Sequence, residues 1–274
     1  MKQALIVGGN GGLGSALVKL LLDRNLQVAV AGRSRAADDR VRHSHVIDAT
    51  SEEWGSLYSA IERESAIPLD AVVFVAGTSA YGRTAAFPPE KGRDIFELNF
   101  WACAAAATMA AKHWDKAGRA GKFVAVLSIA GRRAVPFEAY YTASKAAAMR
   151  FLECLELEYA AKDIHFLSAF PGTLNTPFRR NAEWYGMAPP LSHQGADVQK
   201  AAEAICKLLE GTRTAKVIGW RERAIDLADR LSPGAYDRLI LRRRVLEALN
   251  RGASQRASQK ETGQSGFLDE AKSS

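Results

Sequence analysis

Ala4-Leu5-Ile6-Val7-Gly8-Gly9-Asn10-Gly11-Gly12-Leu13-Gly14 places five glycines in seven positions directly behind an apolar run. The run reads as a strand over residues 4–7, and Leu13, Leu17, Leu20 and Leu21 mark one face of a helix over 13–24. Glycines between a strand and a helix allow a tight turn and close backbone approach. The helix start offers unpaired N–H groups and a positive dipole end to a pyrophosphate. Two registers fit: Gly9, Gly11 and Gly14 as Gly-x-Gly-x-x-Gly, or Gly8, Gly12 and Gly14 as Gly-x-x-x-Gly-x-Gly.

Outward from this turn, apolar runs alternate with amphipathic stretches. Further strands are expected over 27–31, 45–47, 71–75, 123–127, 165–169 and 216–218, with helices over 52–64, 92–116, 139–161 and 196–210. Seven strands joined by right-handed crossovers predict an α/β fold, a doubly wound (Rossmann) parallel seven-stranded sheet with helices on both faces. Residues 78–89 and 177–194 read as loops beyond strand carboxyl ends, where ligands bind in such sheets. One domain is expected over 1–250, with a basic helical extension from about 220 and a disordered tail over 251–274.

The net charge of +7 does not make this a polyanion-binding surface. Through residue 212 the chain carries 24 Lys and Arg against 22 Asp and Glu, and beyond it 13 against 8, so the excess sits in the tail. No nucleic-acid partner is expected. Cys103, Cys154 and Cys206 lack metal-ligand spacing and read as reduced thiols; no metal is expected. No apolar run reaches membrane length and the opening residues do not form a signal core, so a cytoplasmic location is expected. The basic stretch from Leu239 to Leu246 is expected to dock on the body or a neighbouring subunit, with membrane-surface contact as the alternative.

At the end of the second strand, Val28-Ala29-Val30-Ala31-Gly32-Arg33-Ser34-Arg35 has no acid where an NAD enzyme places one for the ribose 2′-hydroxyl. Arg33, with Ser34 or Arg35, instead offers a cation and donors to a 2′-phosphate, which favours NADP.

Tyr141-Thr142-Ala143-Ser144-Lys145 puts a phenol and an ammonium at i and i+4, on one face of a helix. A neighbouring cation favours the phenolate and draws a pKa near 10 toward the working range. Ser128, at the end of a strand, can donate to a substrate oxygen gaining negative charge.

Gly8-x-x-x-Gly12-x-Gly14, Asn99, Ser128 and Tyr141-x-x-x-Lys145, in this order and with thirteen residues from Ser128 to Tyr141, together resemble the short-chain dehydrogenase/reductase family over roughly residues 3–220. The resemblance selects the register of Gly8, Gly12 and Gly14. It implies that Asn99 anchors a water beside Lys145 and completes a proton relay with Ser128 and Tyr141. It also implies NADP contacts from Gly8, Asn10, Gly11, Gly12, Leu13, Gly14, Arg33, Ser34, Asp48, Ala49, Ala76, Gly77, Tyr141, Lys145, Pro171, Gly172, Leu174 and Thr176. Two positions depart from the family pattern: Val7 replaces a threonine, and Phe74-Val75-Ala76-Gly77 replaces Asn-Asn-Ala-Gly.

The expected activity is NADP(H)-dependent interconversion of a carbonyl and an alcohol, with Tyr141 as general acid/base. The alternatives are a non-catalytic NADP(H)-binding sensor or scaffold, or a lyase or epimerase of the same family. Phe178, Trp184, Tyr185, Met187 and Leu191, with Tyr81 and Phe87, suggest an apolar small-molecule substrate; Arg179, Arg180, Arg132 and Arg133 could meet an anionic group. The resemblance further implies a homodimer or homotetramer with the Asn99 and Tyr141 helices at an interface.

Overall fold

The computed structural model describes residues 1–50, 53–186, 195–232 and 234. Seven parallel strands form one sheet: β1 (Gln3–Val7), β2 (Gln27–Gly32), β3 (His43–Val46), β4 (Ala71–Phe74), β6 (Gly121–Val126), β7 (Ile164–Pro171) and β9 (Ala215–Ile218), in the order β3-β2-β1-β4-β6-β7-β9. Two short strands, β5 (Ala80–Gly82) and β8 (Glu183–Tyr185), pair separately as a parallel ribbon.

The period-2 geometry of a strand explains why these runs are apolar throughout. Leu5, Val7, Val72, Phe74, Phe123 and Ala125 face one layer, while Ala4, Ile6, Val28, Val30, Val73 and Val124 face the other. The first layer holds α2 (Trp54–Ser65), α4 (Ala102–Lys116) and α5 (Ala139–Tyr159); the second holds α1 (Gly12–Asp23) and α6 (Val198–Glu210). Trp54, Tyr58 and Trp114 are fully buried in the first layer. The Trp114 indole donates to the Leu69 carbonyl at 2.7 Å and the Tyr58 hydroxyl to the Ala106 carbonyl at 2.9 Å, so neither polar tip is stranded.

From β1 the chain runs outward through β2 and β3, then returns to place β4 on the other side of β1. The carboxyl ends of β1 and β4 therefore flank the switch point of the sheet, where a crevice opens. The departures at Val7 and Val75 leave no gap there. Val7 and Phe74 are buried, and the Val75 and Ala76 N–H groups donate to the Val7 carbonyl at 2.9 and 3.0 Å.

The helix expected over 92–116 is divided. α3 (Pro89–Phe96) leads into a π-turn at Glu97–Trp101, where the Ala102 N–H donates to the Glu97 carbonyl, before α4 continues. The extension begins as α7 (Trp220–Leu231). The basic stretch 239–246, the tail 251–274, Met187 and Leu191 lie outside the described residues.

Candidate active site

The glycine turn is built by close backbone approach. Gly8 turns the chain at a φ of +85°, and its carbonyl accepts the Gly11 N–H at 3.1 Å. A Cβ at Gly14 would stand 2.1 Å from that same carbonyl oxygen, so the first turn of α1 closes only on glycine. No side chain caps the start of α1, which leaves its first N–H groups for a ligand. Leu13 is buried beneath, and the Thr176 methyl lies 2.7 Å from where a Gly12 Cβ would be. Leu174 is tied to Ala196 by an isolated bridge, and its carbonyl accepts the Thr176 N–H at 2.9 Å. The segment from Pro171 thereby reaches back over the glycine turn. Within it, the Glu222 carboxylate of α7 fills the space beside Gly172.

Asn10 serves this end as a buttress. Its amide donates to the Ser34 hydroxyl at 2.8 Å and the Arg35 carbonyl at 2.6 Å, and its oxygen accepts the Ala37 N–H at 3.1 Å. It fixes the loop after β2, on which Arg33 and Ser34 are exposed. Asp48 lies close enough to Arg33 to feel its charge. Hydrogen bonds from the Thr50 backbone and hydroxyl hold its carboxyl below the usual range, with Arg33 adding to the effect. Ala49 is buried beside it. Ala76 and Gly77 follow β4 at the switch point; Gly77 faces the Asn99 amide and the Lys145 ammonium. These features fit an extended dinucleotide: a glycine cradle at an uncapped helix start, and a cation with no competing strand-end acid at the far end.

Ser128 follows β6, its oxygen accepting the Ala130 N–H at 3.1 Å, which leaves the hydroxyl proton to donate elsewhere. Tyr141 stands in the first turn of α5 with Lys145 one turn on, and both are buried. The Lys145 Nζ lies 5.8 Å from the Tyr141 ring centroid and donates to the Val126 carbonyl at 3.3 Å. Asn99 sits in the π-turn, almost wholly buried. Its amide donates to the Thr78 carbonyl at 2.9 Å and the Ser144 hydroxyl at 3.0 Å, and its oxygen accepts the Thr78 N–H at 2.9 Å. Ser144 in turn donates to the Tyr141 carbonyl at 2.8 Å. Sequence reasoning missed Ser144 as the link between Asn99 and Tyr141, although it lay inside the quoted motif.

Burial governs the ionisation here. The Tyr141 phenol is pushed well above its ordinary value by desolvation; a hydrogen bond from Ser128 works against this, and Glu138 and Tyr81 add to it. The expected draw of the phenol toward neutrality by Lys145 is outweighed by the phenol's own burial, and Lys145, itself buried, is lowered to about 8. The phenol therefore keeps its proton at neutral pH.

Around it, Phe178 packs on Tyr141 with ring centroids 6.1 Å apart, and Tyr81 stacks on Trp184 at 4.7 Å across the β5–β8 ribbon. Phe87 and Tyr185 pack on each other at 4.8 Å, and Phe87 also contacts Tyr140, so these two close onto the body as part of the wall. Arg132 is engaged by Asp226 of α7, Arg133 is half-buried, and Arg180 is exposed. Glu138, which sequence reasoning also missed, is raised to about 7 chiefly by burial, with Arg179 lowering it.

A family model described as short chain dehydrogenase matches residues 2–184. A dehydrogenase/reductase SDR family protein 7-like from Anopheles gambiae is 27% identical over 230 residues, 76% of this chain and 72% of its own length. An uncharacterized oxidoreductase from Myxococcus xanthus is 30% identical over 181 residues, 62% of this chain and 71% of its own. Among solved structures, a short chain dehydrogenase from Burkholderia cenocepacia in complex with NADP superimposes with a TM-score of 0.75 at 26% identity, over 88% of this chain and 99% of that one.

Proposed function

Because the chain belongs to the short chain dehydrogenase family, we propose that it is an NADP(H)-dependent oxidoreductase interconverting a carbonyl and an alcohol on a small molecule, with Tyr141 exchanging the proton. The observation that carries this reading is the buried chain of hydrogen bonds from Asn99 through Ser144 to Tyr141, with Lys145 buried one turn on and Ser128 alongside, at the carboxyl ends of the strands. NADP(H), when bound, supplies or accepts the hydride at the substrate carbon. Gly8, Gly11, Gly12, Leu13 and Gly14 would hold its pyrophosphate, Arg33 and Ser34 its 2′-phosphate, and Asp48 and Ala49 its adenine. Ala76, Gly77, Lys145, Pro171, Gly172, Leu174 and Thr176 would hold its nicotinamide half, with Asn10 bracing the phosphate loop.

In the reductive direction Ser128 donates to the carbonyl oxygen, and Tyr141 protonates that oxygen as charge grows on it. The raised Tyr141 pKa suits this role, since the phenol arrives protonated. Asn99 fixes the backbone at Thr78 and, through Ser144, that of Tyr141. A relay from Tyr141 through Lys145 and an Asn99-bound water returns the proton from solvent. The Burkholderia complex and the missing strand-end acid both support NADP over NAD.

The same reading holds one catalytic domain to about residue 250, a cytoplasmic setting, and a homodimer or homotetramer. Exposed Trp101 and Leu157, on the Asn99 and Tyr141 helices, support the last. Among the described residues no helix is long and apolar enough to cross a membrane.

The test is Tyr141→Phe assayed with NADPH and a carbonyl panel. Turnover falls roughly a hundredfold to ten-thousandfold while NADPH binding persists. Full activity in that variant would remove the proposal.

A further inference from the structure

The guanidinium of Arg179 packs beside the stacked rings of Tyr81 and Trp184 and has no hydrogen-bonding partner among the described residues. Its central carbon lies 4.9 Å from the Tyr81 ring centroid and 5.7 Å from that of Trp184. Its Nε is buried without an acceptor, and no carboxylate lies within ion-pair distance of it among the described residues. The adjoining stretch 187–194, Met-Ala-Pro-Pro-Leu-Ser-His-Gln, contains no acid. Cation–π contact uses the face of a guanidinium and leaves its in-plane N–H donors unspent. A buried donor without an acceptor is costly, so such a group calls for an explanation.

Its position supplies one. Phe178, the preceding residue, lies against the Tyr141 ring. Tyr81, on which Arg179 rests, is close enough to Tyr141 to act on its proton. Glu138, three residues before Tyr141, feels the charge of Arg179 yet forms no ion pair with it. The turn carrying Glu138 is fixed: Phe137 adopts a φ of +69° and its carbonyl accepts the Gly82 N–H at 2.9 Å, tying it to β5.

Resting on the proposed carbonyl chemistry at Tyr141, we infer that the substrate carries a carboxylate, which the in-plane donors of Arg179 grip while Ser128 and Tyr141 hold the carbonyl oxygen. Arg179 is then a specificity-determining residue, presenting the fork geometry that matches a planar oxyanion. The Tyr81–Trp184 stack lies against that fork, whose Nε is buried.

The experiment compares 3- and 4-carboxybenzaldehyde with their methyl esters as substrates of the full chain with NADPH. The wild type favours an acid over its ester in kcat/KM by about tenfold or more, the size expected of a charge-assisted pair. Arg179→Gln lowers the acid far more than the ester, and Arg179→Lys recovers part of the difference. In parallel, calorimetric titration of the NADP+-loaded protein with terephthalate and terephthalamide reads recognition without turnover. The diacid binds more tightly, and that advantage disappears in Arg179→Gln. Failure of the diacid to outbind the diamide, or an advantage that survives Arg179→Gln, overturns the inference. Tyr141-dependent turnover without acid preference sinks the role of Arg179 alone. Identical behaviour of wild type and Tyr141→Phe sinks the chemistry beneath it.

Discussion

Arg132, four residues past Ser128, is clasped by Asp226 of α7: its Nε reaches one carboxylate oxygen at 2.5 Å and its Nη2 the other at 3.4 Å. The guanidinium also lies 4.8 Å from the centroid of Phe170, the residue before Pro171-Gly172. One ion pair thus joins the Ser128 loop, the end of β7 and a helix near the C-terminus.

Removing the acid leaves a mostly buried guanidinium unpaired. Asp226→Ala is expected to cost about 1–3 kcal/mol, less than breaking a fully buried pair, because both groups keep some exposure. Thermal melting checks the stability loss. Steady-state kinetics should show kcat falling more than NADPH affinity, since the disturbed loop carries Ser128. A variant with unchanged melting temperature and kcat would disconnect α7 from the site.

Lys145 gives a prediction in which a damaged enzyme is the more stable one. Its pKa is lowered from 10.5 to about 8 by burial, so the folded state resists holding the ammonium. Between these values the unfolded chain binds more protons, and stability rises with pH. Below about 8 the penalty is fully present. Lys145→Met is therefore expected to be inactive and, at pH 7, more stable by on the order of 2 kcal/mol, a gain that shrinks as pH approaches 10. Denaturant titrations at pH 7 and 10 measure both values; a gain that grows with pH contradicts the account.

At the far end of the proposed cofactor site, Arg33→Asp replaces an exposed cation with the acid that suits a free 2′-hydroxyl. NADPH should lose roughly tenfold to a hundredfold in kcat/KM while NADH improves. An unchanged preference would place the 2′-phosphate elsewhere.

Gly14→Ala tests the cradle. The added methyl meets the Gly8 carbonyl oxygen at 2.1 Å, so the turn or the helix must shift. A stability loss of about 1–3 kcal/mol and a larger loss of NADPH affinity are expected, read by melting and by fluorescence titration.

What the sequence made legible follows from which signals are local. The central strands could be read within a residue or two because Leu5, Ile6, Val72, Val73 and Val124 are buried on both faces and leave unbroken apolar runs. The edge strand β3, His-Ser-His-Val and only half-buried, begins two residues before the expected 45–47 because its polar residues hide it. Nothing in Glu97-Leu98-Asn99-Phe100-Trp101 announces a π-turn, for there is no glycine or proline; the hydrogen bonds that hold Asn99 come from Thr78 and Ser144, distant in the chain. β5 and β8 lie in stretches whose sequence reads as loop, because a three-residue strand is stabilised by its partner about a hundred residues away. In the site, Ser128, Tyr141 and Lys145 carried a spacing; Ser144, Glu138 and the stacking of Arg179 became visible only with the neighbours in place.

The π-turn also restricts how this chain can be cut and rejoined. A helix advances about 100° per residue, so deleting one residue between Glu97 and Trp101 would restore an ordinary ladder while swinging everything upstream by that angle. The alanine-rich seam of α4 would stay packed in the core, but Asn99 would turn away from Ser144. Chimeras between this chain and a relative should therefore take Glu97–Trp101 whole from one parent, because the phase of that single wide turn, more than the identity of the amide it carries, aims the side chain.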